Sequence, residues 1–429
     1  MRFGVIIILV YIAFAFIVDG GIWLLCPKAR RRKWRWPYLG FTILCWGLLI
    51  VAVSLPWRNV SSSLVPKMWM LYTWLSIYVV KGSVLSWQLV GLIPRLWKDR
   101  RMQLGLYVGL PVGLVCFGLM WWGALAGRRQ IEMVRVDVAS PRLPHTFEGF
   151  TIAQISDLHL GTWGNDTSFI SALVDSVNAQ RPDLIAFTGD LVNRSSSETA
   201  PFVRILSRLH APCGVISVMG NHDYGDYANW TTEQAHHADV DRLRATQRSM
   251  GWLLLDNAYT SLVRGSDTIY IIGVENWGEP PFSSYGDLAA ALSTHVRPGD
   301  DTRLPAKGSA YKLLLSHNPE HWRLRVRHES DIDLTLSGHT HAMQFAVGSR
   351  SRRFSPAVWR YPAWGGLYTT ASADADARPV RPYTAGNSSQ LYVNIGAGEV
   401  GLPFRIGAAP EITLITLTRT GGTAPHPLP

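Results

Sequence analysis

Four apolar stretches fill most of the first 130 residues: Phe3–Leu25, Tyr38–Leu55, Trp69–Ile93 and Leu104–Ala126. A helix needs about 20 apolar residues to cross the hydrocarbon core of a bilayer, and each stretch is near that length. No other feature constrains the chain as much. Residues 1–130 read as an all-α transmembrane region of four helices, and the chain as an integral protein of the inner or plasma membrane. Eleven of the 18 tryptophans lie there, and Trp34, Trp36, Trp57, Trp69, Trp97, Trp121 and Trp122 fall near span ends, where amphipathic rings settle at headgroup depth. A cleaved signal peptide is the rival reading of the first stretch, but no small-residue cleavage pattern precedes the basic run.

Charge orients the spans. Residues 1–130 hold 16 Lys and Arg against Asp19 and Asp99, a net of +14 in a chain of net +10, so the remainder is −4. The basic balance belongs to the apolar third, and the larger part shows no basic groove, so no nucleic-acid partner is expected. The first linker carries Lys28, Arg30, Arg31, Arg32, Lys33 and Arg35. The third carries Arg95, Lys98, Arg100 and Arg101, and the second only Arg58 and Lys67. Positive residues favour the cytoplasmic side. That places the domain after the fourth span outside the cytoplasm, although Arg128 and Arg129 count the other way. Asp19 and Lys81 lie within spans, where a charge marks either a transport or proton-relay function or, as read here, an ion pair or side chains snorkelling toward a polar boundary. The four cysteines (Cys26, Cys45, Cys116 and Cys213) build no disulfide framework.

From Ile131 the pattern changes to alternating strands and helices, over 131–420, with a flexible tail at 421–429. Strands are expected at Phe150–Ser156, Leu184–Thr188, Gly214–Met219, Thr268–Val274, Tyr311–Ser316 and Ile332–Leu336, and helices at Thr167–Asn178 and Pro201–Leu209. The alternation argues for an α/β layered fold. Five of these strands end in a short polar cluster: Asp157-Leu-His159, Gly-Asp190-Leu-Val-Asn193, Gly-Asn221-His222-Asp223, His317-Asn-Pro and Gly-His339-Thr-His341. In open α/β sheets ligands bind at the carboxyl ends of strands, so five distant clusters can meet at one site. Residues i and i+2 of an extended segment point the same way, which would aim each D-x-H or H-x-H pair at one ion. Imidazole, carboxylate and amide donors without thiolate suit manganese foremost, or iron or zinc, rather than a structural zinc site. A lone member of the set would read as a packed histidine or a helix cap; five in order do not. His210, His236, His237, His295, His321 and His328 lack ligand spacing and read as structural or surface residues.

The order D-x-H, G-D-x-x-N, G-N-H-D, H and G-H-x-H resembles the calcineurin-like metallophosphoesterase superfamily. More narrowly it resembles the transmembrane branch related to the bacterial enzymes that cleave UDP-2,3-diacylglucosamine. The likeness spans roughly 131–417 and includes Phe147–Gly161, Gly273–Trp277, Gly365–Thr369 and Tyr392–Leu417. It implies a four-layer α/β/β/α sandwich and two divalent metal ions. Asp157, His159 and His341 would hold the first ion; Asn221, His317 and His339 would hold the second; Asp190 would bridge them. His222 would stand over the substrate phosphate as proton donor, and Asp223 is expected to orient its ring. Where relatives often carry Gly-Gly-Gln after the last histidine, this chain has Ala342-Met343-Gln344, a departure that reshapes the pocket. The implied chemistry is hydrolysis of a phosphodiester or pyrophosphate by metal-activated hydroxide, with the leaving oxygen protonated by an imidazole.

After the last histidine, Phe345–Trp364 interleaves Arg350, Arg352, Arg353 and Arg360 with Phe354, Trp359, Tyr361 and Trp364. Such mixing suits a membrane interface, and the segment is expected to engage the bilayer or a lipid-linked phosphate ester such as UDP-2,3-diacylglucosamine. Ala371–Pro382 reads as a flexible loop. The competing function is a transporter or sensor with a regulatory phosphoesterase-like domain. The expected topology is checked by reporter fusions after Arg129: a periplasmic-type reporter should be active and a cytoplasm-only reporter silent, and the reverse pattern contradicts the assignment.

Overall fold

Burial explains why the strands of the larger part read as nearly continuous apolar runs. The computed structural model describes residues 2–60, 62–93, 103–279, 283–296, 304–349, 352–370 and 389–419. Arg95, Trp97, Lys98, Arg100, Arg101, Arg350, the loop expected at 371–382 and the tail at 421–429 lie outside the described residues. The chain divides into two units, Met1–Trp57 with Ser61–Gly127 and Gly401–Ile406, and Arg58–Val60 with Arg128–Val400 and Gly407–Pro429.

The first unit is helical: α1 (Arg2–Leu25), α2 (Lys28–Ser54), α3 (Val65–Val90) and α4 (Leu110–Leu125). Among the described residues, two helices, Arg30–Ser54 and Gly105–Arg129, are long and apolar enough to cross a membrane, and Leu9–Leu25 is a shorter apolar helix. Four crossings are therefore not established by length and composition. The third expected span falls short for a physical reason. Helix α3 packs against α1, α2 and α4, and it buries Lys67, Tyr72, Ser76, Tyr78 and Lys81 together with Met68, Trp74 and Leu85. A helix whose neighbours are protein can carry polar side chains that a lipid-facing one cannot. On α4 and the turn before it, Gly105, Gly109 and Gly113 let the backbone approach α3, where an added Cβ would lie 2.6–2.9 Å from Val84, Ser83 and Val80. The Asp19–Lys81 pair forms and is buried. Asp19 also accepts from the Tyr78 hydroxyl at 2.7 Å and the Trp46 indole at 3.0 Å. With both charges satisfied, the pair is explained as packing. In contrast, Ile43, Leu44, Ile50, Leu114, Val115, Leu119 and Leu125 stand exposed.

The second unit holds two six-stranded sheets. The first runs β1-β12-β2-β3-β4-β5, from β1 (Glu132–Ser140), β2 (Thr151–Ile155), β3 (Leu184–Phe187), β4 (Val215–Ser217), β5 (Trp252–Leu254) and β12 (Glu411–Arg419). The second runs β10-β11-β9-β8-β7-β6, from β6 (Ala258–Arg264), β7 (Asp267–Val274), β8 (Lys312–Ser316), β9 (Leu334–Ser337), β10 (Gly366–Thr369) and β11 (Gln390–Val393). Strands β2 to β5 are parallel neighbours, as are β7, β8, β9 and β11. This mixed α/β architecture is of the class that the alternation predicts. The six expected strands lie within two residues of their expected ends. The expected helix at Thr167–Asn178 is α5 (Ser168–Ala179), whereas Pro201–Leu209 holds only one helical turn, Val203–Leu206.

Alternate strand residues bury opposite faces. Ile152, Leu184 and Ile216 of the first sheet share one core with Ile271, Leu313 and Leu336 of the second. Ala153, Ile155, Ile185 and Phe187 turn the other way, onto α5 through Phe169, Leu173 and Val177 and onto α6 (Glu233–Ser249) through Val240 and Leu243. The far face of the second sheet packs Ile272, Leu314 and Tyr368 against Ala291 of α7 (Leu288–Ser293) and Trp322. Strands buried on both faces lose the polar alternation of a half-exposed sheet.

Candidate metal centre

Parallel strands carry their carboxyl ends to the same edge. Thus β2, β3 and β4 deliver Asp157 with His159, Asp190 and Asn221, while β8 and β9 deliver His317 and His339 with His341. Three clusters come from one sheet and two from the other. All seven expected ligands meet. His341 Nε2 lies 3.1 Å from Asp157 Oδ1 and 3.1 Å from His159 Nε2. Asp190 Oδ2 lies 3.6 Å from His159 Nε2 and 3.1 Å from His317 Nε2. His317 Nε2 in turn stands 3.2 Å from Asn221 Oδ1 and 3.2 Å from His339 Nδ1. Asp190 is therefore the shared member of two clusters.

The convergence does not arise from extended backbone, as the i, i+2 argument supposed. Asp157, His159, Asp190, His339 and His341 adopt φ of +56°, +44°, +57°, +74° and +51°, in the left-handed region that non-glycine residues seldom enter. The strands stop short of these residues, and a strained turn aims each of the five side chains. Such strain persists only where the surroundings over-determine it, and it gathers at functional sites. Packing leaves no alternative here. A Cβ on Gly189, itself at φ +101°, would lie 2.7 Å from Gly220 N, and one on Gly338 would lie 2.3 Å from Asp157 Oδ2. The Ala342-Met343-Gln344 departure continues the same turn at φ of +49°, +47° and +59°. Glycine would take that backbone freely; this chain holds it with side chains.

The donor set fits divalent cations. Asp157, His159 and His317 are fully buried, and Asp190 nearly so. Burial disfavours the charged form of each carboxylate, but the His341 and His317 charges hold Asp157 and Asp190 well below the usual range. Burial also disfavours the His317 imidazolium, yet Asp190 overrides it and raises His317 to about 9. His339 falls to about 3 through burial and the His317 charge, and His159 is lowered by burial and His222. Two imidazole nitrogens 3.1 Å apart, each within 3.6 Å of a carboxylate oxygen, are the kind of donor set that holds a divalent cation. A buried orphan points the same way. Asn193 places Nδ2 3.2 Å from His159 Nδ1 and leaves Oδ1 without a partner. Were His159 Nε2 to bind a cation, Nδ1 would carry the proton, and turning the Asn193 amide over would give that proton an acceptor.

His222 lies with His159 and Asp190 in one ligand-sized cluster. Its Nδ1 donates to the Asn193 carbonyl at 2.8 Å, so Asn193 touches both His159 and His222. Asp223 departs from its expected place beside the His222 ring. Its carboxylate accepts the backbone N–H of Gly220, Asp190, Leu191 and Val192, which ties the turn after β3 to the turn after β4. Burial and the nearby Asp190 carboxylate push Asp223 upward, against those N–H donors.

Two tyrosines went unrecognised. Tyr227 stacks on His222, ring centroids 4.3 Å apart, and accepts from Asn221 Nδ2 at 2.9 Å. Tyr361 places its hydroxyl 2.8 Å from His339 Nε2. No spacing rule marks either residue; Tyr361 was seen only as one aromatic of the Arg/Trp segment. That segment divides in the structure. Trp359 is 80% exposed and Phe354 is exposed beside it, whereas Trp364 is buried with Ala342, Ala357 and Ile395. Arg353 pairs with Glu132 and Arg360 with Glu279.

Residues 150–343 match the family described as calcineurin-like phosphoesterase. The chain is 27% identical over 324 residues to the uncharacterized metallophosphoesterase YkuE of Bacillus subtilis, covering 75% of this chain and 98% of that protein. It is 27% identical over 303 residues to a transmembrane protein with metallophosphoesterase domain from Danio rerio, covering 69% of this chain and 59% of that one. It is also 27% identical over 289 residues to the UDP-2,3-diacylglucosamine pyrophosphatase LpxG of Chlamydia trachomatis, covering 57% and 80%. The chain carries a calcineurin-like metallophosphoesterase domain. It is a metal-dependent phosphoester hydrolase.

The strained turn makes a checkable claim. Met343 is half exposed, so Met343→Gly removes left-handed strain with little lost packing. Thermal unfolding should show a gain of roughly 0.5–1 kcal/mol, the strain relieved less the entropy glycine adds to the unfolded chain; a clear loss would mean the turn is not strained.

Proposed function

We propose that the chain is a membrane-anchored phosphoesterase with a binuclear metal centre, which hydrolyses a phosphodiester or pyrophosphate bond of an amphiphilic substrate. The observation that carries this reading is the buried convergence of two ligand sets on one carboxylate. Asp157, His159 and His341 would hold one ion, Asn221, His317 and His339 the other, and Asp190 Oδ2, within 3.6 Å of imidazoles from both sets, would bridge them. Divalent cations bound there, manganese foremost with iron or zinc as alternatives, supply charge that acidifies a water nucleophile and clamps phosphate oxygens. His222 keeps Nδ1–H on the Asn193 carbonyl, which leaves Nε2 as the atom that hands a proton to the leaving oxygen. Asp223 acts through the backbone, holding two ligand-bearing turns in register.

In this reading residues 131–420 form a four-layer α/β/β/α sandwich, and residues 1–130 are a four-helix anchor. The outward apolar faces of α2 and α4, the two long apolar helices and the transmembrane relative support anchoring. The excess of positive charge in the first linker supports an extracytoplasmic domain. A lipid-linked substrate draws support from the LpxG relative and from the exposed Phe354 and Trp359, which follow His341 in the chain. An outside face suits a polyprenyl or phospholipid phosphate better than a nucleotide sugar. The second reading, a transporter or sensor with a regulatory domain, has less support, since the buried intramembrane charges are paired with each other.

Hydrolysis separates the readings. The full chain should cleave bis-p-nitrophenyl phosphate with manganese, lose activity to a chelator, and fall by about a thousandfold or more with Asp190→Ala or His339→Ala. Metal binding without turnover would favour the sensor. In the same assay Trp359→Ser should slow a lipid phosphate ester but spare the soluble one; equal loss on both would remove the lipid contact.

A further inference from the structure

We infer that Tyr227 and Tyr361 are positioning residues for the second metal ion, each fixing which atom one ligand presents to it; this rests on the binuclear reading above. An asparagine amide can turn either its oxygen or its nitrogen toward an ion, and only the oxygen coordinates. An imidazole can present either nitrogen, and the choice is set by the partner of the other one. The Asn221 and His339 ligands therefore each carry an ambiguity that something must resolve.

The two tyrosines resolve one each. Asn221 Nδ2 donates to the Tyr227 hydroxyl at 2.9 Å while Oδ1 faces His317 Nε2 at 3.2 Å. Turning the amide over would aim an oxygen at the tyrosine and an N–H at the centre. His339 Nε2 meets the Tyr361 hydroxyl at 2.8 Å while Nδ1 faces His317 Nε2 at 3.2 Å. With Nε2–H donated to Tyr361, the lone pair is left on Nδ1, facing inward. The third ligand of this set, His317, is handled differently: its Nδ1 donates to the Thr188 carbonyl at 2.8 Å, a rigid acceptor in the strand end.

The arrangement is one-sided. The tyrosines serve Asn221 and His339, both of the second set. They come from unrelated places, the loop after the His222 turn and the segment after His341. Each has a second anchor. Tyr227 stacks on His222, and Tyr361 sits edge-on to His339 at 5.1 Å with its backbone N–H bound to the Ala357 carbonyl at 2.8 Å. The segment read from sequence as a membrane contact thus also carries an inward-facing support for the site. Loss of either hydroxyl should loosen the second ion while leaving the first, held by Asp157, His159 and His341, in place.

The test is metal binding by the full chain in detergent, using manganese alone, with calorimetry for affinity and elemental analysis for stoichiometry. Tyr227→Phe and Tyr361→Phe keep both rings, so folding is checked by an unchanged thermal midpoint. Each variant should bind one ion as wild type does and the second about 10–100-fold more weakly, with hydrolysis restored by excess manganese. Variants that bind both ions with wild-type affinity overturn the inference. If the midpoint of one variant collapses, the other is read alone, and wild-type affinity for both ions in it overturns the inference. Should the wild-type chain itself bind fewer than two ions, the binuclear reading fails instead, so the two failures are distinguishable.

Discussion

Everything at the site follows from placing two carboxylates and four imidazoles at one nearly dry point. Asp157 and Asp190 are almost wholly buried, and burying an isolated carboxylate is prohibitive unless it is paired. Here the compensation comes from imidazoles of the second sheet: His341 against Asp157 and His317 against Asp190. Neither sheet could bury its share alone. The core shared by the two sheets, with Ile152 and Leu184 meeting Ile271 and Leu313, is what brings the opposite charges together. It leaves imidazole and carboxylate donors crowded around positions where a divalent cation would satisfy all of them.

The backbone carries the cost of that placement. Five of the seven candidate ligand residues are left-handed, at of order 1–3 kcal/mol each. Asp223 contributes in return by accepting four backbone N–H groups from two turns. A carboxylate that looks catalytic by position is thus a fastener. The neighbouring His222, free of it, takes its orientation from Asn193 and Tyr227.

The sequence announced the site far better than its construction. Apolar runs that end in Asp, Asn or His were legible because strands buried on both faces leave a plain apolar signature and ligand chemistry concentrates at their carboxyl ends. Six strands were read from it. Strands β1, β5, β6, β10, β11 and β12 were not: Glu132–Ser140, for example, is aligned only by Glu411–Arg419, far along the chain, although β6 forms a local hairpin with β7. The wrong reason given for the converging ligands has the same origin. Nothing in Asp157-Leu-His159 signals a positive φ, which is imposed by tertiary packing. Tyr227 and Tyr361 were silent because a hydroxyl's role depends on which ligand lies opposite. The helical part shows the converse: α3 looked like one span among four, yet its buried Lys67, Ser76 and Lys81 mark it as the helix that the others surround.

The central claim is that Asp190 joins two metal sites into one. Electron paramagnetic resonance of the manganese-loaded full chain tests it most directly. Ions about 3.5–4 Å apart across a shared carboxylate should give the broadened spectrum of an exchange-coupled pair, which Asp190→Ala should abolish. A wild-type spectrum of isolated manganese, at full occupancy of both sites, would contradict it.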